Sequence, residues 1–148
     1  MNRLSRRCKY ALRALYRLAR HGAGPLAVVE IARDEKIPRK FLEAILVQLR
    51  NAGLVESHAG KKGGYRLAKS PDTIRIGAIV RAIDGPLSPL SCASETAFRI
   101  CDECIGREEC ETRVIMRRVR NAMAAVLDGM TLAEACQLTT RNLPNYDI

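Results

Sequence analysis

Four cysteines, Cys92, Cys101, Cys104 and Cys110, fall within the nineteen-residue stretch CASETAFRICDECIGREEC, spaced C-x8-C-x2-C-x5-C. Four thiolates this close in sequence can hold a tetrahedral metal ion or an iron-sulfur cluster, and the spacing leaves zinc, [2Fe-2S] and [4Fe-4S] all open. Structural zinc usually takes its ligands from two separated close pairs, whereas here only Cys101 and Cys104 are closely paired. An irregularly wrapping loop suits a cluster at least as well. The neighbouring Asp102, Glu103, Glu108 and Glu109 oppose added negative charge, which speaks against a switch built on thiolate oxidation alone. An enzyme using Cys101 and Cys104 as a redox dithiol would need a βαβ setting that the pattern lacks, so no catalytic residue is assigned. Cys8 and Cys136 lie on apolar helical faces and read as buried small hydrophobes.

Clustered thiols have this meaning in a reducing compartment. The basic start of the chain is followed by apolar residues broken up by Lys9, Arg13, Arg17 and Arg20, and no apolar run is long enough to span a bilayer. The expectation is a cytoplasmic protein with reduced cysteines and no membrane partner. Charge indicates a different partner. Residues 1–70 hold 16 Lys or Arg against 5 Asp or Glu, a net of +11, while residues 71–148 hold 9 against 11. A basic half facing a polyanion and a near-neutral half turned elsewhere is the footprint of a nucleic-acid binder.

The elements that must carry these features follow in order. Residues 5–20 form an amphipathic helix capped by Ser5, with Arg and Lys on its outer face placed to lie along phosphates. Residues 25–35 give a short second helix. Lys36 and Ile37 make a tight break, and Pro38 opens a third helix reaching Ala52. Phe41, Leu42, Ile45, Leu46 and Leu49 are its buried stripe, and Arg39, Lys40, Glu43, Ala44, Val47 and Arg50 its exposed face. Two short helices with cations opening the second make a helix-turn-helix pattern. Residues 54–57 and 65–67 then read as a hairpin whose tip places Lys61 and Lys62 among glycines, a wing able to approach the minor groove. Arg39, Lys40, Glu43 and Ala44 would face bases in the major groove, and Arg3, Arg6 and Arg7 would add phosphate contacts. Residues 73–74 are a possible short strand, and residues 76–84 a further helix.

Past Cys110 an apolar seam of Ile115, Val119, Ala122 and Val126, supported by Met123, spans roughly 27 Å if residues 111–128 are helical. A helix-turn-helix protein reading a palindromic double-stranded site needs a two-fold copy, and this helix is the expected homodimer seam. Thr131 to Glu134 is a capping box for a last short helix. The fold class is mainly α with a small β-wing: a winged helix-turn-helix domain plus a long C-terminal dimerisation helix. The divisions are 1–85 for the DNA-binding domain, 86–110 for the cysteine loop, 111–138 for the two last helices and 139–148 for a tail.

The segments LSRRCKYALRAL, GPLAVVEIA, KFLEAILVQLRNAGLV, KKGGYRLA, IRIGAIVRAIDGPLSPLSC and TLAEA together resemble the IscR/NsrR-type winged-helix iron-sulfur transcriptional regulators, over about residues 4–135. The resemblance implies a homodimeric regulator with a [2Fe-2S] or [4Fe-4S] cluster between the wing domain and the dimer helix, sensing redox, nitric oxide or iron. It also implies an alternative, because some relatives have no cluster and respond through a protein partner. Cluster-binding members use three cysteines with five residues in each gap. Here Cys104 to Cys110 matches, eleven residues separate Cys92 from Cys104, and Cys101 is additional. Lys9 stands near the place where some relatives supply a fourth ligand and cannot serve. Cys101 would then complete the set within one loop.

Overall fold

In the computed structural model, residues 4–104, 106 and 110–138 are described. Helix α1 (Arg6–His21) is the hub, and Ser5 caps it by accepting from the Cys8 N–H at 3.0 Å. The Ser5 backbone N–H donates to Asp84 at 2.9 Å, and its hydroxyl bonds the same carboxylate, so the start of α1 is tied to the end of α4 (Ile76–Asp84). Leu15 and Leu18 of α1 pack with Ile31 of α2 (Val28–Glu35), with Leu42, Ile45, Leu46 and Leu49 of α3 (Arg39–Asn51), and with Ile79 and Val80 of α4. This is a core of branched aliphatics, as a chain with no Trp and only 2 Phe requires. The C-terminal α6 (Leu132–Gln137) closes it with a fully buried Leu132. Thr131 and Glu134 complete the capping box foreseen there. Among the described residues no helix is long and apolar enough to cross a membrane.

The hairpin forms from β1 (Val55–His58) and β2 (Gly64–Leu67), antiparallel with His58 opposite Gly64. The second helix starts later than its sequence pattern indicates, because residues before it are used differently. Leu26 and Tyr65 exchange two backbone hydrogen bonds of 2.9 Å, strapping the wing to the core. A Cβ at Gly64 would stand 2.1 Å from the Leu26 carbonyl oxygen. Gly64→Ala should therefore lower stability by about 1–3 kcal/mol, read as a reduced unfolding midpoint. The possible strand at residues 73–74 reduces to a single bridge between Arg75 and Thr131. Phe41 is also corrected: it is 41% exposed and meets the Tyr10 ring edge-on instead of entering the core.

Helix α5 (Glu111–Gly129) leaves the core and returns along α4. Gly77 admits it, since a Cβ there would stand 1.9 Å from an Asp128 carboxylate oxygen. Arg81 of α4 donates twice to Asp128, at 2.6 and 2.8 Å, and holds that carboxyl below its usual range. A carboxylate with a depressed folded pKa stabilises fully above its unfolded value and loses that contribution as pH falls through the folded one. Acid titration below about pH 4 should loosen the α4–α5 contact, and Asp128→Asn should remove that part of the pH dependence of unfolding.

Candidate cysteine pocket and nucleic-acid interface

All four clustered cysteines line one cavity. Cys92, Cys101, Cys104 and Cys110 line a space of about 230 Å³ together with Phe98, Ile100, Gly106 and Arg113. Cys92 enters from a short 3-10 turn (Ser91–Ala93) and is buried; Cys101 is exposed, and Cys104 and Cys110 are half-buried, Cys110 immediately preceding α5. Arg113 fixes the inner wall: its Nε donates to the Cys92 carbonyl at 2.9 Å and its guanidinium lies 5.6 Å from the Phe98 ring centre. Among the described residues no three Cys, His, Asp or Glu side chains are gathered tightly enough to grip a single ion. The space that the four cysteines line is several times the volume of a water molecule. Four cysteines on one cavity are a donor set that suits an iron-sulfur core or a zinc ion. Asp102 and Glu103 are exposed nearby; Glu108 and Glu109 lie outside the described residues.

Of the two remaining cysteines, Cys8 is buried as expected, whereas Cys136, expected to be buried, is half-buried because the short α6 lies at the edge of the core. Burial, with the nearby Asp84 charge adding to it, pushes the Cys8 thiol up to about 12. Burial also raises Cys136, whose sulfur rests 4.0 Å from the Tyr16 carbonyl. Brief alkylation of the metal-free protein at neutral pH should therefore label Cys101 first and leave Cys8 unmodified, as read by peptide mass.

On the basic half, Lys36 takes the left-handed conformation at φ 51° and lets Ile37 bond back to Ala32 at 2.9 Å. That turn sets α3 across α2 as a helix-turn-helix requires. Arg39, Lys40, Ala44, Val47 and Arg50 are exposed on α3 and Glu43 is half-exposed. Arg39 donates to Glu43 at 2.9 Å, an i,i+4 pair the sequence reading treated as two separate side chains. Lys61 and Lys62 are exposed at the wing tip. Arg6 is exposed, while Arg7 reaches across to the Ala44 carbonyl at 3.5 Å, flanking α3. Arg3 lies outside the described residues. The cationic face of α1 is partly used internally: Arg13 pairs with Glu35 and Arg17 with Asp34 of α2, at 3.3 and 3.1 Å.

The seam residues lie on α5, where Ile115, Val119, Ala122 and Val126 are exposed and Met123 is half-buried. Val114, which the heptad count passed over, is exposed beside them. The one buried side chain of this helix is Arg120.

This arrangement of α2, α3 and wing defines a winged helix-turn-helix regulator. The sequence model described as "Rrf2: Iron-dependent Transcriptional regulator" matches residues 4–137. The chain belongs to the Rrf2 family of transcriptional regulators. It is 39% identical over 135 residues to a putative rrf2-like HTH-type transcriptional regulator of Rhodobacter capsulatus, covering 88% of this chain and 90% of that one. The solved structure of CymR, the global cysteine regulator of B. subtilis, superposes with a TM-score of 0.77 at 34% identity, covering 94% of this chain and 99% of CymR. The T. potens IscR structure superposes with a TM-score of 0.70 at 28% identity, covering 93% of each chain. These relatives are regulators, which supports a non-enzymatic role.

Proposed function

We propose that this Rrf2 regulator acts as a homodimer whose affinity for a palindromic DNA site is set by an iron-sulfur cluster ligated by Cys92, Cys101, Cys104 and Cys110. The observation that carries the reading is the single cavity lined by all four cysteines. When bound, such a cluster supplies a redox-active centre that oxidants or nitric oxide can degrade. The surrounding residues hold the ligands: Arg113 anchors the Cys92 backbone, and Phe98 and Ile100 give the cavity apolar walls. In the division proposed, residues 1–85 read DNA, 86–110 hold the cluster, 111–138 pair the protomers and 139–148, outside the described residues, form a tail.

On DNA, α3 would enter the major groove, with Lys40 and Arg39 reaching guanine edges or phosphates and Ala44 meeting a thymine methyl. Because Glu43 already holds Arg39, a guanine must compete with that carboxylate, which sharpens discrimination against sites lacking one. Lys61 and Lys62 would take phosphates beside the minor groove, and Arg3, Arg6 and Arg7 would add contacts near α3. Two copies joined through Ile115, Val119, Ala122, Met123 and Val126 would set half-sites about 34 Å apart.

A second reading is cluster-free control, by thiol oxidation, a protein partner or a structural zinc. It draws on the likeness to CymR, the global cysteine regulator of B. subtilis. The test compares the affinity of anaerobically prepared cluster-loaded protein with that of metal-free protein, on a duplex selected by this protein from random sequence. A difference of roughly 5-fold or more at fixed salt supports cluster control, and equal affinities support the cluster-free reading.

A further inference from the structure

Arg120 lies near the middle of α5 with its side chain 9% exposed, and its Nε has no hydrogen-bond partner. Among the described residues the carboxylate paired with it is that of Glu95, 2.7 Å from its Nη1. A guanidinium withdrawn from water needs a counter-charge, so this pair differs from a surface ion pair, whose loss changes little. Glu95 comes from the cysteine loop, three residues beyond Cys92, and its own side chain is 70% exposed. It can therefore be docked on Arg120 or released to water at small cost to itself.

The same small space is lined by Arg81 of α4, whose guanidinium feels the Glu95 charge while bonded twice to Asp128 of α5. Glu95 thus faces one cation on each side of the α4–α5 contact, where the DNA-binding half meets the long helix. The loop is tied to α5 a second time two turns earlier, where Arg113 holds the Cys92 carbonyl. Only Ala93 and Ser94 separate these two ties, and the loop runs on from Glu95 to Cys101, so Glu95 stands in sequence between the first thiol and the other three.

We propose that Glu95 is the positioning residue through which the state of the cysteine pocket reaches the α4–α5 contact, by docking on or leaving Arg120. The proposal rests on the cluster reading above, and deepens it by naming how the pocket regulates DNA binding. The experiment uses full-length wild type, Glu95→Gln and Glu95→Asp, each assayed for iron and sulfide and for affinity, loaded and metal-free, toward the selected duplex. Wild type should show a loaded-to-metal-free affinity ratio of roughly 5- to 150-fold, in whichever direction regulation runs. Glu95→Gln should load as much iron and sulfide as wild type while its ratio falls to within about twofold of unity, and Glu95→Asp should recover most of the ratio. A loaded Glu95→Gln protein that keeps the wild-type ratio overturns the proposal and leaves the cluster reading standing. A loaded wild type with a ratio of one overturns it as well, since nothing is transmitted. If wild type takes up no cluster, the cluster reading fails, and the Glu95–Arg120 tie is decided by a double-mutant cycle in urea on Glu95→Gln and Arg120→Gln, with Arg120→Met as the substitute should the glutamine variant not fold. Effects non-additive by about fivefold or more in the unfolding equilibrium support the tie, and additive effects overturn it.

Discussion

Cys104→Ala should take the iron and sulfide of anaerobically prepared protein to background, and Cys101→Ala should do the same. The first expectation follows from position: Cys104 is half-buried on the cavity wall and has the family-like spacing to Cys110. The second is particular to this chain. Cys101 lines the same cavity from the solvent side, and Lys9 cannot ligate iron from α1 as a carboxylate might. With Cys101 missing, one iron would be left with water or a weaker oxygen donor at the exposed edge, and the cluster would not be retained through anaerobic purification. Cys8→Ala is the control, since a buried thiol on α1 with a pKa near 12 has no route to the cavity. An unchanged iron content in Cys101→Ala would reduce the ligand set to Cys92, Cys104 and Cys110.

A charge placed in the α5 seam should have an effect of comparable size on DNA binding. Helix α5 has 19 residues, about 28 Å of rise, and buries only Arg120 in the isolated chain. Ile115 and Val126 are 55% and 64% exposed, and Val119 stands exposed between them on the same helix face. An amphipathic helix that leaves its apolar side uncovered gains stability from a partner, and in the proposed function that partner is a second copy. Val119→Asp puts an unpaired carboxylate into the centre of that contact while touching nothing in the core. Sedimentation should show a monomer, with operator affinity lower by roughly 10³-fold and approaching the affinity for random DNA. A Val119→Asp protein that remains dimeric with full operator affinity would place the interface elsewhere.

Local signals were the ones legible in sequence. Ser5 as a cap, residues 76–84 as a helix and Thr131 to Glu134 as a capping box each depend on a few adjacent residues, and each forms. The hairpin followed from alternation and glycine, but its strap to Leu26 did not, because one bridge between residues 39 apart leaves no periodic trace. Phe41 was misread because hydrophobicity placed it in the stripe, whereas Tyr10 offers its ring a site at the rim. The basic face of α1 looked free for phosphate until folding set Glu35 and Asp34 against Arg13 and Arg17. Arg120 is the sharpest case: in sequence it is one of four arginines between residues 111 and 129, and the loop arriving with Glu95 supplies the counter-charge for its burial. The cysteines were recognisable by clustering, while Arg113 and Phe98 as the wall that orders them came from tertiary contact alone.

The most direct measurement is the iron and acid-labile sulfide content per chain, with the visible spectrum, of protein purified without oxygen. The account predicts a coloured protein with about two or four irons per chain, matched by sulfide and bleached by air. A colourless protein that retains about one zinc per chain, or no metal at all, would contradict it.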